Sequence, residues 1–77
     1  MISAEVSLYP VETADSDQVI EESLHALADY HLQYDIGSLS THLHGESDQV
    51  WSALRRLHER AQALGHAVVM VVTISNG

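Results

Sequence analysis

The chain ends on a stretch that is apolar in two directions. His66 to Ser75 reads H-A-V-V-M-V-V-T-I-S. Successive side chains of a strand point to opposite faces, so a half-buried strand alternates apolar and polar residues. Here Val68, Met70, Val72 and Ile74 make one apolar row. Val69 and Val71 start a second, which ends in Thr73 and Ser75. Such a strand wants both faces covered. The start of the chain behaves differently: Ile2, Ala4, Val6 and Leu8 alternate with Ser3, Glu5, Ser7 and Tyr9. That predicts a strand over Met1–Tyr9 with one dry and one polar face. Pro10 is expected to end it, having no N–H for the ladder.

Between these two strands the pattern changes period twice. V-E-T-A-D-S-D-Q reads as a loop entering a helix, with Asp15 and Gln18 spaced as a capping box and Asp17, Glu21 and Glu22 near the positive end of the helix dipole. Val19, Ile20, Leu24, Leu27 and His31 follow at helical spacing with Ala28 beside them, and the helix is expected to fade near Tyr30. Gln33–Ile36 predicts a short strand, Gly37-Ser38 a tight turn, and Leu39–His44 the returning strand. Leu39, Thr41 and Leu43 are then on one face, with Ser40, His42 and His44 on the other. Glu46-Ser47-Asp48 opens a second helix capped at or near Ser47. Its stripe is Val50, Leu54, Leu57, Ala61 and Leu64, leaving Arg55, Arg56 and Arg60 to solvent, and Gly65 suits the position after its end.

The tetrapeptide S-D-Q-V occurs at Ser16–Val19 and again at Ser47–Val50, each time after a strand and at a helix start. The element order β-α-β, β-α-β is that of the split βαβ, ferredoxin-like sandwich. The expected fold is therefore α+β: one domain over residues 1–77, a four-stranded antiparallel sheet of order 4-1-3-2, and two helices on one face. In that architecture Val68, Met70, Val72 and Ile74 pack under the helices with Ala4, Val6, Leu8, Leu39 and Leu43. The last strand lies at the sheet edge, where a long apolar strand is a pairing hazard unless something covers it. A second copy of the chain is the simplest cover, so a homo-oligomer is expected.

Composition sharpens this expectation. A chain of 77 residues buries only about 60–65% of its unfolded surface and needs help to be stable. With no cysteine, disulfides and thiolate metal sites are excluded. Eleven acids face three arginines and no lysine, a formal charge of −8. That balance argues against nucleic acid and anionic membranes, and favours cationic ligands. No signal-peptide pattern opens the sequence and no apolar run is long enough to span a bilayer, so a cytoplasmic location is expected. Neither a nucleophile elbow nor a Gly-rich phosphate loop is present, and no enzymatic activity or cofactor is expected.

M-I-S-A-E-V-S-L-Y-P at the start, S-T-H-L-H-G in the middle and V-V-M-V-V-T-I-S-N at the end resemble the small thiamine-binding, YkoF-like protein family, in register over essentially the whole chain. The resemblance implies a ferredoxin-like, non-enzymatic protein that binds thiamine or its hydroxymethylpyrimidine half. It also implies assembly into dimers and tetramers, the tetramer as a dimer of dimers. Tyr9, Thr41, Thr73 and Ser75 are carried as motif matches. In the T-x-L-E-G pattern of the family, Thr41, Leu43 and Gly45 match, and His44 stands in place of the Glu.

From the residues themselves, Glu5, Ser7, His42, Thr73 and Ser75 form a polar cluster on the expected open face. A carboxylate there can accept from an aminopyrimidine, hydroxyls can orient it, and Tyr9 can cover a ring. Against this stands the plainer reading that Glu5 faces water or bonds across a subunit contact. His42 and His44, two apart on a strand, point the same way. With Glu5 or Asp35 they make an alternative, histidine-dependent metal site. A second alternative is an assembly or regulatory protein whose open face is filled only by its partner subunit. His25, His31, His58 and His66 read as surface or boundary residues, as do Tyr30 and Tyr34. Trp51, beside the second helix's stripe, reads as core or interface packing.

Overall fold

A computed structural model of the chain describes residues 1–11, 15–64 and 67–76. The elements are β1 (Ile2–Val11), α1 (Ser16–Leu24), a 3₁₀ turn (His25–Asp29), β2 (Leu32–Ile36), β3 (Thr41–Gly45), α2 (Ser47–Leu64) and β4 (Ala67–Ser75). The strands form one sheet in the order β2-β3-β1-β4, with every neighbouring pair antiparallel. This is the ferredoxin-like βαββαβ sandwich in the expected strand order. Both copies of S-D-Q-V open a helix, at Ser16 and at Ser47. The expected loop over residues 12–14, and the expected roles of Gly65 and His66, lie outside the described residues.

The core follows from the alternation in β1 and β3. Ala4, Val6 and Leu8 alternate with open-face residues, and Leu43 sits opposite Ala4. They pack against Leu24 and Leu27 from the first helical segment and Val50, Ala53, Leu54, Leu57 and Ala61 from α2. Val68, Met70 and Val72 close this layer from β4 and are half-buried. Ile74 shares their side of the strand but stays exposed at the sheet edge, which corrects its expected place in the core.

Several boundaries differ from the sequence reading for local reasons. Pro10 does not end β1; it pairs with Val68, and Val11 pairs with Ala67. β3 partners β1 only from Ile2 to Val6. The far half of β1 is therefore open on its β3 side, where a missing N–H costs no ladder bond. α1 tightens into 3₁₀ geometry after Leu24, a common way for a helix to close its last turn. Ser23, fully buried there, donates its hydroxyl back to the Val19 carbonyl at 2.6 Å. His31 is consequently off the helix and exposed; its N–H donates to Gln49 Oε1 at 3.0 Å, which ties the start of β2 to the first turn of α2. Asp15 holds the N-cap position through its carbonyl, which accepts from Val19 N–H at 3.0 Å, and no side-chain cap bond forms. Leu64, the last residue of the α2 stripe, is exposed.

The hairpin turn is longer than Gly37-Ser38. It runs from residue 37 to residue 40, closed by Gly37 N–H donating to the Ser40 carbonyl at 2.9 Å. Leu39 therefore lies in the turn, 88% exposed, and is not a core residue. Gly37 serves close approach, not a left-handed backbone: a Cβ there would stand 2.9 Å from the Ser40 carbonyl oxygen. Gly45 is under similar pressure, since its Cβ would meet Leu32 Cβ at 3.0 Å and Leu32 Cα at 3.3 Å.

The packing predicts a sharp contrast between two leucines. Leu43→Ala should lower unfolding free energy by about 2–5 kcal/mol, while Leu39→Ser should change it by no more than about 0.5 kcal/mol, both read from urea midpoints. Gly45→Ala should cost about 1–3 kcal/mol in the same assay, as overpacking against a neighbouring backbone does.

Candidate functional site

Strand register sorts the open face into rows, because directly paired residues share a face. One row runs Asp35, His42, Glu5, Thr73 across β2, β3, β1 and β4. The next runs Gln33, His44, Ser3, Ser75. Both rows are wholly polar. Further along β1 the character changes: Ser7 stands opposite Val71 and Tyr9 opposite Val69. Val69 and Val71 are 51% and 52% exposed, and Tyr9 is exposed beside them. The uncovered face thus has a polar end and an apolar end.

Two hydrogen bonds organise the polar end. His42 Nε2 and Glu5 Oε2 stand 2.8 Å apart, with the side chains 63% and 56% exposed. Ser3 Oγ and His44 Nδ1 are also 2.8 Å apart. Each histidine is thus engaged across the β1–β3 pair, in adjacent rows. A recess of about 360 Å³ opens here, lined by Ser3, Glu5, His42, His44, Thr73 and Ser75. It offers a carboxylate, two imidazoles and three hydroxyls, with no tyrosine or tryptophan among its described lining residues. Among the described residues no group of three or more His, Cys, Asp or Glu is placed to hold a metal ion.

The sequence-predicted residues therefore divide. Glu5, His42, Thr73 and Ser75 come together in this recess. Ser7, Tyr9 and Thr41 line a second recess of about 500 Å³, between the far half of β1, the first helix and the 37–40 turn. Glu5 borders both. Thr41 is buried on the helix side of the sheet, so it reaches only the second recess. Ser7 Oγ donates to the Leu39 carbonyl at 3.3 Å and holds the turn against β1. Sequence reasoning did not place Ser38 and Ser40 at this recess. A four-residue turn after Gly37 was the signal that could have shown it, and G-S-L-S permits a two-residue turn equally well. Nor did it single out Ser3, whose role depends on the register of β1 against β3.

The architecture is that of a small ferredoxin-like protein whose uncovered sheet face gathers a carboxylate–imidazole pair and a set of hydroxyls. The chain belongs to the YKOF-related family, whose model matches residues 1–77. No curated protein matches it. Among solved structures it is similar to a Streptococcus pneumoniae protein at TM-score 0.91, with 23% identity over 99% of this chain and 86% of that one. A domain of unknown function from Bacillus cereus superposes at TM-score 0.87, with 20% identity over 99% of this chain and 75% of that one. A candidate thiamine biosynthesis or salvage protein of Thermotoga maritima gives 0.85, with 17% identity over 99% of this chain and 83% of that one. At these identities the likeness speaks for the fold. No helix among the described residues is long and apolar enough to cross a membrane.

The exposure of the Glu5–His42 pair predicts that the fold does not depend on it. Surface ion pairs contribute about 0–1 kcal/mol. Glu5→Gln and His42→Ala should each leave the urea midpoint close to that of the parent protein. A large drop in either would mean that the pair is a structural tie.

Proposed function

We propose that this protein binds thiamine, a cationic heterocycle, or its uncharged hydroxymethylpyrimidine half, on the uncovered face of the sheet, and does so as a homo-oligomer without catalysing a reaction. The observation that carries the reading is Glu5: an exposed carboxylate in the middle of a central strand, held by His42 and bordering both recesses. A carboxylate placed so can accept from an exocyclic amine or a protonated ring nitrogen. Thr73 and Ser75 supply hydroxyls for orientation on one side of it. Ser7 and Tyr9 flank it on the other, and the phenol ring of Tyr9 is free to lie over a heterocycle. Thr41 serves the second recess from beneath. The formal charge of −8 draws cations toward the surface. Family membership supports the same reading, as does the fold shared with the Thermotoga maritima protein.

The oligomer rests on a different part of the same face. β4 is an edge strand with one unpaired side, and Val69 and Val71 are exposed on its open face. A second subunit that covers them would leave the polar end as the binding region; a dimer of dimers covers both the edge and the face. That exposed pair also sustains a second reading, in which the partner subunit fills the open face and assembly is the whole function. A metal-binding module has no ligand cluster to rest on among the described residues.

Calorimetric titration separates these readings. Thiamine or hydroxymethylpyrimidine should give saturable heat, and Glu5→Gln should weaken binding at least ~10-fold, as loss of a charge-assisted hydrogen bond does. Absence of heat with either compound would leave the assembly reading. Light scattering of the parent protein should show an assembly at micromolar concentration, and Val71→Lys should shift it toward smaller species. A monomeric parent protein would remove the oligomer from the account.

A further inference from the structure

The basic residues of this acidic chain are concentrated in one place. All three arginines lie on α2, at positions 55, 56 and 60. Arg60 turns toward α1, where its guanidinium stands 4.0 Å from the Glu22 carboxylate. Arg55 and Arg56 do not follow it. Glu59 is four residues after Arg55 and three after Arg56, the spacing at which a helix forms ion pairs. Yet among the described residues neither arginine has a carboxylate within salt-bridge distance. Both instead line a broad groove of about 1010 Å³, whose walls also carry Tyr30, Trp51, His58 and Glu59. Trp51, Arg55 and His58 fall on one helix face at i, i+4 and i+7. The indole is 55% exposed, although a tryptophan ordinarily buries most of its surface.

Two guanidiniums and an imidazole beside an exposed indole and a phenol make a specific combination. The guanidiniums present forked donors that match an oxyanion. Aromatic faces stack on planar rings of any sequence or substitution. The net charge of the chain opposes an anion, but at physiological ionic strength that field is screened within about 8 Å. Glu59 is the one carboxylate among the groove's described lining residues. We infer that this groove binds a planar ring bearing an oxyanion, with the ring against Trp51 and Tyr30 and the anion between Arg55 and Arg56. The site is independent of the one proposed around Glu5: none of its lining residues borders either of the two recesses that Glu5 borders.

Trp51 is the chain's sole tryptophan, so its fluorescence reports on this groove directly. The parent protein would be titrated with adenosine monophosphate and with nicotinate, a ring phosphate and a ring carboxylate, and in parallel with adenosine and inorganic phosphate. At least one of the two ring oxyanions should quench Trp51 saturably; the tighter of them tells which oxyanion the arginines prefer. Adenosine and inorganic phosphate should bind at least ~10-fold more weakly, since each lacks half of the recognition. The double variant Arg55→Gln/Arg56→Gln should lose the quenching while its calorimetric response to thiamine stays as in the parent protein. No saturable quenching by either ring oxyanion in the millimolar range overturns the inference, and so does quenching that survives in the double variant. An Arg55→Glu/Arg56→Glu variant that breaks up an assembly seen by light scattering also overturns it, because the groove would then be a subunit contact.

Discussion

Two helices cover one face of a four-stranded sheet and leave the other bare. That constraint orders the rest of the molecule. β1 and β3 answer it by alternation, burying Ala4, Val6 and Leu43 while sending Glu5 and His42 outward. β4 does not answer it, because Val69 and Val71 extend the apolar character onto the bare side. The small core has no residues to spare for a second layer. Among the described residues no second layer covers that side; in the proposed reading a ligand, a subunit or both supply it.

The bare face is not uniform, and its division gives the proposed ligand and the proposed subunit contact different ends of one surface. At the polar end, two complete cross-sheet rows carry no apolar side chain, and cross-strand hydrogen bonds fix their imidazoles. At the apolar end, the exposed groups include Tyr9, Val11, Val69 and Val71. Burying the latter stabilises an assembly in proportion to the apolar area removed from water. Burying the former without partners would be costly, so a ligand or water must satisfy them. Glu5 sits at the junction and borders the recess on either side.

Much of this was legible in the residues. Period-2 alternation in Ile2–Tyr9 located the dry face, and the repeated S-D-Q-V marked both helix starts. The element order implied the strand order and hence that β4 is an edge. The grouping of Glu5, His42, Thr73 and Ser75 followed from face assignment alone. What was not legible depended on pairing partners. Pro10 looked like a strand end because only the register shows that β1's pairing with β3 stops at Val6, leaving that side open. Leu39 looked like core because G-S-L-S does not reveal whether the turn has two residues or four. Ser7 and Tyr9 share the second recess with that same turn, and Thr41 reaches it because it is buried on the helix side of the sheet. The arginine groove was not legible because exposed helix arginines are ordinarily solvated; that neither Arg55 nor Arg56 has a carboxylate partner among the described residues is visible only in three dimensions.

The most direct test of the account is amide chemical-shift mapping of the isotopically labelled protein during titration with thiamine. The account predicts that shifts concentrate in the middle of β1 around Glu5, at His42 on β3, and at Thr73 and Ser75 on β4, with α2 from Arg55 to Arg60 unmoved. Shifts confined to the helix side of the molecule, or none at saturating thiamine, would contradict it.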